Sequence, residues 1–250
     1  AALTPQDVTA FVFWTRNPAP LFPYMDELEG RGFRSVFLVT VMDYPRDLEP
    51  GTPRVEAAVE TLSRLSERIG KNRIAWRYDP ILLSSLTPAP FHEEAFSRLA
   101  GRIAPLVSRV IVSVFDPYRK SLKRLKVLEK QGFRLYERKE EQDALAALLP
   151  GMVEASNSLG LEIRSCCEGE RLAPWIPPGA CIDPLFLQNA FGRTFPPPGT
   201  RTSGSAASAP PRRTSAPTAP AATGVCTATR DSCRDRLKPA NWNFVQPIGI

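Results

Sequence analysis

Short apolar runs alternate with amphipathic stretches along this chain. Val8 to Thr15 (VTAFVFWT) is β-branched and aromatic, which predicts a strand buried on both faces. From Pro18 to Gly32, Leu21, Met25 and Leu28 recur at helical spacing and glycines close the run, predicting a helix. Arg34 to Met42 (RSVFLVTVM) reads as a second strand, and Pro53 to Ile69 as a helix opened by proline, with Val55, Val59, Leu62, Leu65 and Ile69 on one face. The same logic gives strands at Arg73 to Tyr78, Arg109 to Phe115 and Leu161 to Ser165. Between them it gives helices at Phe91 to Leu106, Tyr118 to Gln131 and Glu140 to Leu159, the last with a break expected at Pro150.

Strands that alternate with helices over residues 1–192 predict an α/β domain with a parallel sheet, a partial or closed TIM-like β/α barrel. A doubly wound sheet is the alternative, but no glycine-rich phosphate loop follows the first strand. From Arg193 the pattern stops. The stretch RTFPPPGTRTSGSAASAPPRRTSAPTAPAATG has almost no apolar side chain larger than alanine, so residues 193–250 are expected to be a disordered tail.

Composition changes the picture in three places. The net charge of +6 suggests nucleic acid until it is divided: residues 193–250 hold eight basic and two acidic side chains, leaving 24 of each in residues 1–192. A neutral domain has no electrostatic reason to track a phosphate backbone. The single histidine, His92, excludes centres built from several imidazoles and reads as structural or solvated. All five cysteines follow residue 165, and with no basic-then-apolar leader after Ala1 the chain reads as cytoplasmic and truncated at its start, a setting in which a disulfide is not expected. No apolar run approaches the roughly 18 residues of a membrane-spanning helix.

In β/α barrels the chemistry lies where strands end. Trp14, Arg16 and Asn17 follow the first strand, Asp43 and Tyr44 the second, and Arg77 and Asp79 close the third. Asp116 and Tyr118 follow the fourth, and Cys166, Cys167 and Glu168 the fifth, with Cys181 and Asp183 a short loop later. Such a polar rim suits a charged or hydroxylated small molecule. The expected roles are catalytic for Arg77, Asp79 and Glu168, and substrate-binding for Trp14, Arg16, Asn17 and Asp116. Duller readings stay open. Asp79 and Asp116 precede prolines and read equally as turn formers, Arg77 as an ion-pair partner, Cys166 and Cys167 as small buried apolar residues, and Asp183 as the cap of a helix starting at Pro184. A hydrolase using Asp79 and Glu168 as acid and base would need the two carboxylates to face each other.

VFWTRNPAP (Val12 to Pro20), WRYDPILLS (Trp76 to Ser84), SCCE (Ser165 to Glu168) and CIDP (Cys181 to Pro184) together resemble the bacterial domain-of-unknown-function family 1848, over roughly residues 8 to 192. Members of that family continue into a C-x-C pair and then D-I-G-x-Y-x-T-C-x-x-G-C-V-Y-C-Y-A, which this chain lacks. A shift of reading frame restores it. Ala206 to Ala209 then permits C-x-C, Arg213 to Ser215 permits D-I, and Ser215 to Thr229 permits G-A-Y-G-T-C-x-x-G-C-V-Y-C-Y. The expectation is a single-base insertion, deletion or sequencing error near Gly199 to Ser205; the alternative is a genuine low-complexity tail.

A C-x-x-x-C-x-x-C segment can hold three irons of a four-iron cluster. The resemblance therefore implies a 4Fe-4S cluster and S-adenosylmethionine in the intact family form, with CVYCYA most similar to spore photoproduct lyase-like radical S-adenosylmethionine enzymes, here in circularly permuted order. EPGTP (Glu49 to Pro53) and the following helix and strand are similar to the middle of such barrels. The resemblance also places Cys166 and Cys181 in a second metal site with the family's C-x-C, for zinc or iron. As written, the chain is expected to bind no cluster and to be inactive. The contrasting expectation is a non-catalytic module that binds a small ligand or protein and carries structural zinc.

Overall fold

The computed structural model describes residues 4–5, 8–117, 119–130, 132–180 and 182–194. The expected tail from residue 195 onward, Tyr118 and Cys181 lie outside the described residues. Six strands form one parallel sheet in the order of the chain: β1 (Phe11–Thr15), β2 (Ser35–Thr40), β3 (Ile74–Ile81), β4 (Arg109–Val114), β5 (Glu162–Cys166) and β6 (Pro178–Gly179). The helices are α1 (Met25–Gly30), α2 (Val55–Ile69), α3 (Ala89–Ile103), α4 (Arg119–Glu129), α5 (Arg138–Ser158) and α6 (Pro184–Phe191).

Sequential order decides the winding. Parallel crossovers are right-handed, so a sheet that always grows in one direction carries its crossover helices on one face. Phe37, Trp76, Tyr78, Val110, Val112 and Ile163 meet Leu62 and Leu65 of α2, Phe96 and Leu99 of α3 and Leu145 and Leu148 of α5 in the larger core. The opposite face, here called inner, buries Val36, Leu38, Ala75, Ile111 and Cys166 under Phe186 and Leu187 of α6. The strand order never reverses, so the doubly wound alternative falls. A parallel α/β sheet is as expected, but it is not closed: β1 and β6 are its two edges.

Several local expectations change. The Pro18 to Gly32 helix is a 3-10 segment, Ala19–Tyr24, followed by α1. Pro20 and Pro23 cannot donate backbone hydrogen bonds, which denies that turn an α-helical ladder. α5 runs unbroken through Pro150, because Leu145, Leu148, Leu149 and Met152 around it are anchored in the core. β3 extends past Tyr78 through a cis Asp79–Pro80 peptide to Ile81, with its register against β4 shifting between Tyr78 and Ile81.

α6 is fixed from beneath. Asp183 accepts from the Leu185 amide at 2.9 Å as its N-cap and pairs with Arg109, whose side chain is 4% exposed. Arg109 also holds Glu162 at 2.8 Å and lies 4.9 Å from the centre of the Phe186 ring.

Candidate functional site at the strand ends

Alternation along β3 turns Trp76 and Tyr78 to the helices and Ala75, Arg77 and Asp79 to the inner face. Arg77 donates to one Asp79 oxygen and the Ser113 hydroxyl of β4 donates to the other, so the carboxylate is held from both sides. Arg77 stands level with Thr40 on β2 and Ile111 on β4. Under α6 the inner face buries Val36, Leu38, Ala75 and Ile111, with Arg109 paired to Asp183. Toward the strand C-termini it becomes polar, and the catalytic candidates Arg77 and Asp79 are adjacent there.

The other expected residues occupy separate places around this pair. Trp14 on β1 packs against the inner cluster. Arg16 forms a two-pronged ion pair with Glu49 of the loop after β2, at 2.8 and 2.6 Å. Asn17 is exposed and accepts from the Ala19 amide at 3.1 Å, serving the turn that opens the 3-10 segment. Asp116 is half-buried beyond the end of β4.

Glu168 is buried, accepts from the Val114 amide at 2.8 Å and lies 3.8 Å from Arg171, which also pairs with Glu141 of α5. Burial raises its carboxyl pKa to about 6 against the stabilising Val114 amide. Asp79 is thus bound by inner-face side chains, whereas Glu168 is anchored to the backbone at the end of β4.

A second polar layer fixes the segment that follows Asp79. The Tyr44 hydroxyl donates to the Pro80 carbonyl at 2.6 Å and accepts from the Leu82 amide at 2.8 Å. The Leu82 carbonyl accepts from Thr87 at 2.6 Å and from His92 Nε2 at 3.0 Å, leaving His92 Nδ1 to accept from the Tyr78 hydroxyl at 2.9 Å. Burial lowers the His92 pKa to about 4, so the ring is neutral at pH 7. His92 is structural, and its full burial corrects the solvated alternative. Tyr44 stood on the expected rim without an assigned role, whereas Ser113 and Glu49 were not among the expected site residues. Ser113 had a readable signal, a hydroxyl two positions after Ile111 within an apolar strand; the 33-residue span from Arg16 to Glu49 had none.

The cysteines depart from expectation. Cys167 is disulfide-bonded and has a left-handed backbone, φ 58°. Its partner lies outside the described residues. The expectation of no disulfide came from compartment alone, and that argument says nothing about where the loop after β5 carries the sulfur. Cys166 is a buried thiol on the inner face. A cluster needs several thiolates. Among the described residues only Cys166 and Cys167 carry sulfur of that kind, and no group of three or more His, Cys, Asp or Glu stands ready for a metal ion. The described residues therefore do not fit an iron-sulfur cluster or a zinc site. Also among them, no helix is long and apolar enough to cross a membrane.

No curated protein matches this chain. A family profile does match, over residues 1–220, which extends past both ends of the 8 to 192 span that the motifs delimit and enters the proline-rich stretch. Since that match covers most of the 250 residues, the chain belongs to the family described as Domain of unknown function (DUF1848).

Proposed function

We propose that the chain binds a small carboxylate- or hydroxyl-bearing molecule at the C-terminal mouth of its sheet, with Arg77 as the anion-binding group and Asp79 and Ser113 orienting it. The observation that carries this reading is the Arg77, Asp79 and Ser113 constellation on the inner face near the C-terminal ends of β3 and β4. A guanidinium presents its donors in a plane that matches a carboxylate or phosphate, and Asp79 fixes that plane. Trp14 supplies an apolar wall, Arg16 and Asp116 stand on neighbouring loops, and Glu168 contributes a carboxyl that changes protonation near pH 6. A carboxyl so tuned suits proton transfer, and Glu168 is the acid-base candidate of this reading.

The test is calorimetric titration of the protein with succinate, L-serine, inorganic phosphate and S-adenosylmethionine. At least one should bind with Kd at or below about 1 mM, and Arg77→Gln should weaken it about tenfold or more. Failure of all four, or binding indifferent to Arg77→Gln, contradicts the reading.

The iron-sulfur reading rests on the resemblance and on the cysteine segment spelled in the shifted frame, not on the described residues. Sequencing the DNA for residues 195–235 tests it: an intact frame whose codons cannot spell C-x-x-x-C-x-x-C removes it. A corrected chain reconstituted anaerobically with iron and sulfide should show four-iron absorbance and, given S-adenosylmethionine and dithionite as electron donor, release deoxyadenosine and methionine. Zinc without iron in the purified protein would favour the binding-module alternative instead.

A further inference from the structure

We propose that a groove between α5 and the loop before β6 binds a small alkylammonium cation. The groove offers about 620 Å³, within the roughly 300–1,000 Å³ typical of small-molecule sites, and shares no residue with the mouth. Pro150, Val153, Glu154 and Asn157 of α5 form one wall, and Pro174 and Trp175 the other. The four helical residues stand at i, i+3, i+4 and i+7, a single stripe of a helix that leads into the N-terminal end of β5 and so away from the mouth.

The loop wall is fixed from the core. Leu172 and Ile176 are fully buried, and the Trp175 and Ile176 amides both donate to the Leu172 carbonyl, at 3.0 and 2.8 Å, so half-buried Trp175 is held between two anchors. The helix wall carries a proline that packing does not explain. Pro150 withholds a backbone donor in mid-helix, yet its ring is exposed, and facing an indole across a groove gives that ring a use.

The charge around the groove has one sign. Glu154 is exposed and pairs with no cation among the described residues, unlike Glu140 and Glu141 earlier in the helix, which Arg134 and Arg171 hold. No Lys, Arg or His lines the groove, so an anion would meet only a carboxylate. An ammonium with alkyl substituents fits instead: the indole face attracts its charge, Glu154 neutralises it, and proline and valine cover the alkyl groups. Asn157 adds an amide for a hydroxyl on the same molecule.

The test compares choline with its neutral isostere dimethylbutanol, in which a tert-butyl group replaces the trimethylammonium, by calorimetric titration of the full chain. Choline should bind about tenfold more tightly than the alcohol. Glu154→Gln should abolish most of that difference, and Pro150→Ala, which keeps the helix, should weaken choline about threefold. Arg77→Gln should leave choline binding unchanged, which separates this groove from the mouth. Choline that fails to bind, that binds no better than the alcohol, or that is indifferent to either α5 substitution overturns the proposal; so does its loss in a folded Arg77→Gln chain.

Discussion

Two buried side chains give stability opposite dependences on pH. His92 has its pKa lowered from 6.5 to about 4, so its contribution is complete above pH 6.5 and is lost as pH falls through 4. Glu168 has its pKa raised from 4.5 to about 6, so its contribution is complete below pH 4.5 and is lost as pH rises through 6. The Glu168 term amounts to about 2 kcal/mol. Urea denaturation at pH 4.5 and pH 7 should therefore show wild type losing about 2 kcal/mol relative to Glu168→Gln over that interval; a pH-independent difference would show that the buried carboxyl does not titrate as described. In the second layer, Tyr44→Phe removes the donor to the Pro80 carbonyl and the acceptor for the Leu82 amide, and should cost about 1–3 kcal/mol by thermal or urea unfolding. These contacts were not legible in sequence, because each joins residues more than 30 positions apart that only the sheet order brings together.

At the level of elements, α5 carries a removable defect. Pro150 stands inside the helix and withholds a backbone donor, and the core contacts of Leu145, Leu148, Leu149 and Met152 hold the helix together across it. Pro150→Ala should raise stability by about 1–3 kcal/mol, measured by denaturant titration; no gain would mean the proline is compensated elsewhere. Gly179 is the reverse case. A Cβ there would stand 2.9 Å from the Ser165 carbonyl oxygen and 3.1 Å from Arg164 Cβ, so Gly179→Ala should push β6 off β5 and cost about 1–3 kcal/mol. Both elements show why sequence was only partly readable. The strands at Arg34 to Met42 and Arg109 to Phe115 declare themselves because burial on both faces demands unbroken apolar runs. β6 is two residues long and leaves no periodicity to detect. The break expected at Pro150 failed because a local penalty of about 3 kcal/mol is smaller than the combined burial of four core side chains.

Over the whole molecule, one division organises the inner face. Under α6 an apolar cluster surrounds Arg109, which is locked by Asp183 and Glu162; near the C-terminal ends of β3 and β4 the same face carries Arg77, Asp79 and Ser113. The strand-end position of Arg77 and Asp79 was readable because a parallel β/α pattern fixes which end of each strand carries chemistry. That Arg16 is held by Glu49, and that Glu168 is bound to the β4 backbone, emerged only from the fold. The surplus positive charge lies in residues 193–250, and residues 1–192 carry equal numbers of basic and acidic side chains. The most direct test of the mouth as a binding site is a crystal structure of the protein grown with whichever of succinate, L-serine, phosphate or S-adenosylmethionine binds most tightly. The account predicts ligand density within hydrogen-bonding distance of the Arg77 guanidinium on the inner face; density seated elsewhere, with that face empty, would contradict it.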